Sequence, residues 1–526
     1  MTDDRSLDWT RNRPGGRARL FATLALLVCL SILTATGGAR ATASSQTDDT
    51  DARPVITIAS KAHTESVVLA EAARLLLENA GFEVHHRAEL GGSQVVFKAL
   101  ENGDIDLYPD YTGTLQHEIF AGQAPGIAAL RQRLAERGLA MGPPLGFDNT
   151  YAIAMRAGHA QRLGIETLAD LAQHPDLALG FSNEFLDRGD GWRGMAKRYD
   201  LPHRNVQGIQ HNLAYRAIAS GRIDVTDAYA TDAEIVAYDL AVLRDNRRYF
   251  PGYEGAYVYD RDLDPRAVRA LNRLAGAIDA DTMRRANALV KLEGRPDGVA
   301  AAKLLGETGT LDVDVASGPG LAERLWGYTV AHLGLVAVSL GLALVIAVPL
   351  GIAAARLPRL GHVVLGTVGV LQTIPSLALL VVLIPLLGIG WAPTVAMLFV
   401  YSLLPLVRNT HAGLTGIPLS LQHAAQALGL PARAKLWRIE LPLALPTILA
   451  GVKTAAVINV GTATLGALVG AGGYGQPILT GIRLNDQSLI LEGAIPSAVL
   501  ALLVVVVFEG VERALVAPPL RGKTGR

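Results

Sequence analysis

Cysteine is nearly missing: Cys29 is the only one in 526 residues, which excludes an intrachain disulfide and any multi-thiolate metal site. Val28 stands where a lipid-modified cysteine wants a small neighbour, so Cys29 is not read as a lipid anchor. Acidic residues are scarce in the C-terminal part. Of 48 Asp and Glu, six lie after position 320: Glu323, Glu440, Asp486, Glu492, Glu509 and Glu512. That part therefore reads as lipid-embedded and the first 320 residues as a polar body. No strongly basic face stands out, which argues against nucleic acid as a partner. Nucleotide signatures are lacking too. No G-x-G-x-x-G follows the first strand-like run. Gly522-Lys523-Thr524 resembles the end of a phosphate-binding loop, but Ala517 holds the place of its first glycine. No nucleophile–base pair or metal-ligand cluster stands out, so no catalytic residue, metal site or cofactor is expected and an exported enzyme is disfavoured.

The chain opens with Arg5, Arg11, Arg13, Arg17 and Arg19, then an apolar run from Leu20 to Leu33 and the small-x-small sequence Ala39-Arg40-Ala41. Residues 1–41 thus read as a signal peptide or an uncleaved signal anchor, and both place the body beginning at residue 42 outside the cytoplasm. Five apolar segments come after Arg324, near 331–353, 363–387, 391–407, 443–471 and 493–511, against about 20 residues needed to span a bilayer. Ten of the 13 basic residues after position 320 fall on one side if the first span starts outside. These are Arg356, Arg359, Arg408, Arg433, Lys435, Arg438, Arg513, Arg521, Lys523 and Arg526. By the positive-inside bias, the tail is cytoplasmic and residues 42–320 are exported.

In the exported body, Val55–Ala59, Phe82–Arg87 and Ile105–Tyr108 are strand-like and alternate with helical runs at Thr64–Asn79 and Gly92–Asn102. This predicts a βαβαβ unit with a parallel sheet. The rhythm returns from Tyr151 to Tyr229, with a helix at His211–Ser220, so two α/β lobes hinged as a clamshell are expected. Tyr108, Tyr111, Tyr151, Tyr229 and Tyr257 fall mostly near strand C-termini, where open α/β sheets bind ligands. Aromatic rings converging on a desolvated cation contribute about 0.5–2 kcal/mol each. Three or four of them would select a quaternary ammonium head, with Lys61 and Arg188 left for a carboxylate at the ligand's other end. A tyrosine packed in the core with its hydroxyl satisfied is the plainer alternative for any one of them.

Several motifs carry a family resemblance over about 54–310. They are Ile58-Ala-Ser-Lys61 with Thr64-Glu65, Gly91-Gly92, and Asp106-Leu-Tyr-Pro-Asp-Tyr-Thr-Gly113. Further on come Asn149-Thr-Tyr-Ala152, Glu184-Phe185-Leu-x-Arg188-x-Asp190-Gly191, Asp227-Ala-Tyr-Ala-Thr-Asp232, and Leu243-x-Asp245 leading to Phe250-Pro251. The segment resembles the substrate-binding proteins of glycine betaine/choline/carnitine uptake systems. That implies a type II-like two-lobed periplasmic-binding-protein clamshell with trimethylammonium groups held between rings. Carried over by position, Tyr108, Tyr111, Tyr151 and Tyr229 are cage residues, and Lys61, Thr112, Arg188 and Thr231 polar contacts. His63 departs from the first motif's usual residue and joins the ligand-binding candidates. Relatives of this fold take up ergothioneine, a histidine betaine, so the solute stays open.

In the membrane part, His423-Ala424-Ala425, Gly429 and Ile439-x-Leu441-Pro442 are similar to the ATPase-coupling loop of binding-protein-dependent ABC permeases, here 413–442, with His423 in place of the usual glutamate. Leu371-Gln-Thr-Ile-Pro-Ser-Leu377, Leu404-Pro-Leu-Val-Arg-Asn409 and Ile458-Asn-Val-Gly-Thr-Ala-Thr-Leu465 with Gly470-Ala-Gly-Gly473 resemble permeases of the same uptake systems. Pro375 and Pro385 are expected to kink the second span. The resemblance implies an all-α importer transmembrane domain over 321–526, fused behind the 42–320 solute-binding domain in the bacterial inner membrane. Its partners would be a small zwitterionic or cationic solute, membrane lipid, a second copy of the chain, and two copies of a separate ATPase subunit. A solute receptor that transports nothing is the alternative of another class.

Overall fold

The computed structural model describes residues 53–516 apart from 190, 251, 316, 317 and 319. The expected export signal with Cys29, the motif residues Asp190 and Pro251, and the tail from Ala517 lie outside the described residues.

Two five-stranded sheets make two lobes. In lobe one the strands are β1 (Val55–Ala59), β2 (Glu83–Arg87), β3 (Leu107–Tyr111), β4 (Leu139–Met141) and β10 (Gly255–Asp260), in the order β2-β1-β3-β10-β4. Lobe two has β5 (Tyr151–Arg156), β6 (Leu179–Ser182), β7 (Val206–Ile209), β8 (Val225–Tyr229) and β9 (Leu240–Leu243), in the order β7-β6-β8-β5-β9. The expected parallel sheet holds for β2, β1 and β3 but not beyond. The chain leaves for lobe two after β4 and returns as β10, which runs antiparallel to both β3 and β4. Pairing with β10 also carries the third strand past its expected end at Tyr108 to Tyr111. The two crossing segments meet at the antiparallel bridge Asp148–Glu254, beside the bond from Asn149 N to Tyr253 O (3.0 Å).

The first helix, α1 (Thr64–Asn79), buries most of its residues because apolar side chains recur around nearly all of its circumference. It is capped by His63, whose Nδ1 accepts from Ser66 N at 3.3 Å. Lobe one also carries α2 (Ser93–Glu101), and α3 (His211–Ala219) belongs to lobe two; α4 (Ala280–Lys291) and α5 (Asp297–Glu307) come after β10 and pack back on α1.

The membrane part starts with α6 (Leu321–Arg356), followed by α7 (Pro358–Thr373), α8 (Ser376–Leu387), α9 (Trp391–Thr415), α10 (Leu419–Ala427), α11 (Leu441–Thr462), α12 (Gly475–Leu484) and α13 (Gln487–Leu515). Four helical stretches are long and apolar enough to cross a membrane, and the bent pair α7–α8 makes up to five. Within the 363–387 segment the expected kink is a sharp break, with the chain turning by 96° between α7 and α8. Pro375 explains the break. It lacks an N–H and drives Ile374 out of helical geometry, to ψ 125°. Pro385 lies inside α8 and does not break it.

The bent pair nevertheless traverses the bundle. At its start, Gly361 packs on Ala354 near the end of α6, about 50 Å along that helix from Leu321 at 1.5 Å per residue. At its end, a Cβ on Gly388 would lie 2.6 Å from Asp104 Oδ1 in lobe one. Between the spans, Asn459 Nδ2 donates to Ser339 Oγ (3.0 Å) and Ser402 Oγ (2.9 Å), tying α11 to α6 and α9 through buried, mutually satisfied polar groups.

Candidate functional site

The cleft between the lobes is closed around one buried carboxylate. Glu65, in the first turn of α1, accepts at Oε1 from Tyr111 Oη (2.6 Å) and Asn149 Nδ2 (2.8 Å). Its Oε2 accepts from Asn287 Nδ2 (2.9 Å) and from Thr231 Oγ1. Tyr111 and Asn287 belong to lobe one, Asn149 to a crossing segment and Thr231 to lobe two, so this side chain joins all three. Burial raises its pKa, against the pull of the Thr231, Tyr111 and Asn287 bonds toward the ionised form.

Two ion pairs cross the cleft beside it. Lys291, on α4, reaches Glu234 Oε1 at 2.6 Å and Asp232 Oδ1 at 3.8 Å, both in lobe two. Arg188 of lobe two meets Glu118 Oε2 of lobe one at 2.8 Å. The Arg188 guanidinium also lies 5.5 Å from the Tyr151 ring centre and 5.9 Å from that of Tyr253. Because Arg188 couples both lobes and faces two rings, Arg188→Ala is expected to weaken solute affinity at least tenfold by titration calorimetry. Retained affinity would mean that Arg188 only ties the lobes together and does not shape the solute site.

Tyr151 and Tyr229 meet because they stand directly opposite each other in the antiparallel β5–β8 register, with ring centres 5.1 Å apart. His211 lies 4.7 Å from Tyr229, and His63 lies 6.2 Å from Tyr229 and 6.0 Å from Tyr111. The two histidines differ in charge. Burial and then Lys61 hold His63 well below its usual pKa, leaving a neutral ring that caps α1. Burial opposes charge on His211 as well, but Asp227 and Asp232 outweigh it and raise its pKa to about 10. His211 Nε2 stands 3.0 Å from Asp232 Oδ2, which also accepts from Tyr215 Oη and Tyr229 N.

The expected site residues therefore divide. His63, Tyr111, Tyr229 and Thr231 gather at the Glu65 cleft, and Tyr151 joins it through Tyr229. Tyr108 does not; it is fully buried with its hydroxyl on Asp110 (2.7 Å), and no ring contact joins it to the others among the described residues. Lys61 pairs with that same Asp110 at 2.7 Å and lies 4.9 Å from the Tyr111 ring centre, behind the cleft. Thr112 ties the crossing segment, accepting from Glu254 N at 3.1 Å. Tyr257 donates to Leu69 O (2.9 Å) in the core of lobe one. Lys61 and Arg188, both assigned to a ligand carboxylate, each hold a protein carboxylate.

Sequence reasoning misses Glu65, Asn149, His211, Asp232, Asn287 and Lys291, which line the cleft together with His63, Thr64 and Tyr229. Glu65, Asn149 and Asp232 stand inside the family-like motifs, which could have marked them. Asn287 and Lys291, four apart on one face of α4, have no motif to mark them.

Residues 54–306 match the model of the substrate-binding domain of the ABC-type glycine betaine transport system, and residues 347–517 that of the binding-protein-dependent transport system inner membrane component. The glycine betaine/carnitine/choline transport system permease protein of Bacillus subtilis is 38% identical over 191 residues, 36% of this chain and 87% of that protein. The chain belongs to the glycine betaine/choline/carnitine family of ABC importers. Within that family it is a fused binding protein and permease, a multi-pass inner-membrane protein. A similar fusion is the ergothioneine transport permease/ergothioneine binding protein of Helicobacter pylori, 31% identical over 266 residues, 49% of this chain and 48% of that one. A solved glycine betaine/carnitine/choline ABC transporter chain is 30% identical, covering 48% of this chain and 99% of that chain, with a TM-score of 0.44.

Proposed function

We propose that this family member captures a compact zwitterion with a quaternary ammonium head outside the cell and releases it through its own permease domain. The observation carrying this reading is the cleft itself, where rings from both lobes surround three positive side chains set against four carboxylates, so that the charges nearly cancel. Lys291 faces Asp232 and Glu234, charged His211 faces Asp227 and Asp232, and Arg188 faces Glu118. A lining without large net charge suits a solute whose own charges cancel. The ring faces of Tyr111, Tyr151 and Tyr229 suit its ammonium end.

Residues 42–320 would lie outside and the C-terminus inside, supported by the basic loops and by a bent pair that crosses the bundle. A separate ATPase would supply the energy at the 413–442 loop, two copies serving two permease domains related by symmetry. The apolar face of α13, with exposed Leu502, Val506 and Val507, is suited to lipid or to the second copy.

Calorimetry of the full chain in detergent against glycine betaine, choline, carnitine and ergothioneine tests the reading. Binding of at least one is expected; binding none of them while taking a plain amino acid or a sugar would overturn it. Ergothioneine is the second reading, favoured by the two imidazoles, His63 and His211, that both neighbour Tyr229.

A further inference from the structure

The two lobes meet the permease very differently. Arg483 leaves α12, the short helix before the last span, and is buried in lobe one. Its Nη1 and Nη2 donate to Asp297 Oδ1 (3.0 Å) and Oδ2 (2.9 Å), while Nε donates to Glu89. Thr480 Oγ1, one turn earlier on α12, donates to Glu89 Oε2 at 2.9 Å, and Arg483 Nη1 lies 3.4 Å from Thr64 Oγ1. Asp297 and Thr64 open α5 and α1, so a bidentate arginine clamp holds the N-terminal ends of two helices of one lobe. Glu89 sits at φ +62°, a region that non-glycine residues seldom adopt.

An apolar seam reinforces the clamp. Leu90 of lobe one closes on Gly470, where a Cβ would lie 2.9 Å from Leu90 Cδ2. One buried cluster runs from Leu90 and Phe97 through Leu335, Ile384 and Val469 of the permease. Lobe two reaches the same region through the exposed side chain of Arg216 on α3, whose Nη2 donates to Asn485 O at 3.3 Å just past the end of α12. An exposed bond to a backbone carbonyl is easily exchanged for water, whereas a buried, doubly paired guanidinium is not.

We propose that lobe one is the fixed mount of the binding domain on the permease, locked by Arg483, and that lobe two is the part that swings when the cleft opens. Arg483 is a positioning residue: it stands beside Thr64, next to Glu65 in sequence, and fixes the half of the cleft from which Glu65 reaches across. The assignment goes beyond the solute reading and does not depend on which solute is carried.

Spin-label distances in the full chain, in lipid nanodiscs and with Cys29→Ser, test it without any ligand. One pair, Lys98→Cys with Glu323→Cys, reports lobe one against the permease; the other, Ser220→Cys with Glu323→Cys, reports lobe two. Dilution with unlabelled chain removes distances between copies. A narrow distribution is expected for the first pair, with at least twice that width for the second. Arg483→Ala should broaden the first pair to match the second. Glu89→Gln combined with Asp297→Asn should do the same while leaving the permease sequence untouched. Equal widths in the parent chain, a narrower second pair, or a first pair unchanged in both variants would overturn the proposal. Failure of the calorimetry with betaine-like solutes would leave these distances as they are.

Discussion

Glu65→Ala in the full chain is expected to weaken solute affinity by at least about a hundredfold. The carboxylate takes four hydrogen bonds, from Tyr111, Asn149, Asn287 and Thr231. Alanine leaves those donors facing one another without an acceptor, and each buried unsatisfied group costs about 1–3 kcal/mol. Even two of them at the middle of that range exceed the roughly 2.7 kcal/mol that a hundredfold change requires. The cost falls mainly on the closed state, because opening the lobes separates Thr231 from the other three and returns water to them. Affinity should therefore fall further than the unfolding temperature does. Glu65→Gln keeps the shape and one acceptor oxygen but turns an NH2 toward two donors, so a loss of about tenfold is expected by analogy with other mispaired hydrogen bonds. Calorimetry with whichever solute the parent chain binds gives the answer, and an alanine variant within threefold of the parent would show that Glu65 does not hold the closed cleft.

Much of this fold is legible because its signals are local. The α1 boundaries, Thr64 to Asn79, come from helical spacing closed by Gly81, and β1 from a short apolar run. The return of β10 is not legible, since nothing within Gly255–Asp260 states that its partners lie far back in the chain at Leu107–Tyr111. The site shows the same limit. Tyr151 and Tyr229 can be named as rings, but their meeting depends on a register between strands more than seventy residues apart. Tyr108 and Lys61 look like ligand contacts by position, yet both are drawn to Asp110, a residue whose role only the fold exposes. Glu65 is visible in a motif but easily passed over, because a cation-binding cage is expected to work without a carboxylate. Its four bonds join both lobes and a crossing segment, a meeting that no local pattern encodes. In the membrane part, hydropathy locates every segment, whereas the 96° turn at Ile374–Pro375 requires knowing that the helix gives way there and not at Pro385.

Trp437→Ala combined with Leu428→Ser is expected to cut solute uptake at least tenfold while leaving capture by the same chain unchanged. Between α9 and α11 the chain forms α10, turns at Gly429 with φ +66°, and re-enters a helix at Ala432. Leu428 is 75% exposed and Trp437 64% exposed, one on each arm of this turn. Large apolar side chains standing free on a polar loop favour a protein partner, and tryptophan is often its anchor. The second arm is also fastened to the first span, since buried Glu440 pairs with Arg356 at the end of α6 and lies 3.5 Å from Lys435. A push on Trp437 would thus reach α6, which begins beside the binding domain. His423, exposed on α10, stands where the resemblance to ATPase-coupling loops places glutamate. His423→Glu should change uptake with solute affinity unaltered, by less than the Trp437 and Leu428 pair because it removes no apolar anchor. Uptake into vesicles reconstituted with the proposed ATPase subunit, together with solute-stimulated ATP hydrolysis, separates this from an interfacial lipid role for Trp437. A partner surface requires both activities to fall together; unchanged hydrolysis and uptake would assign Trp437 to the lipid headgroups instead.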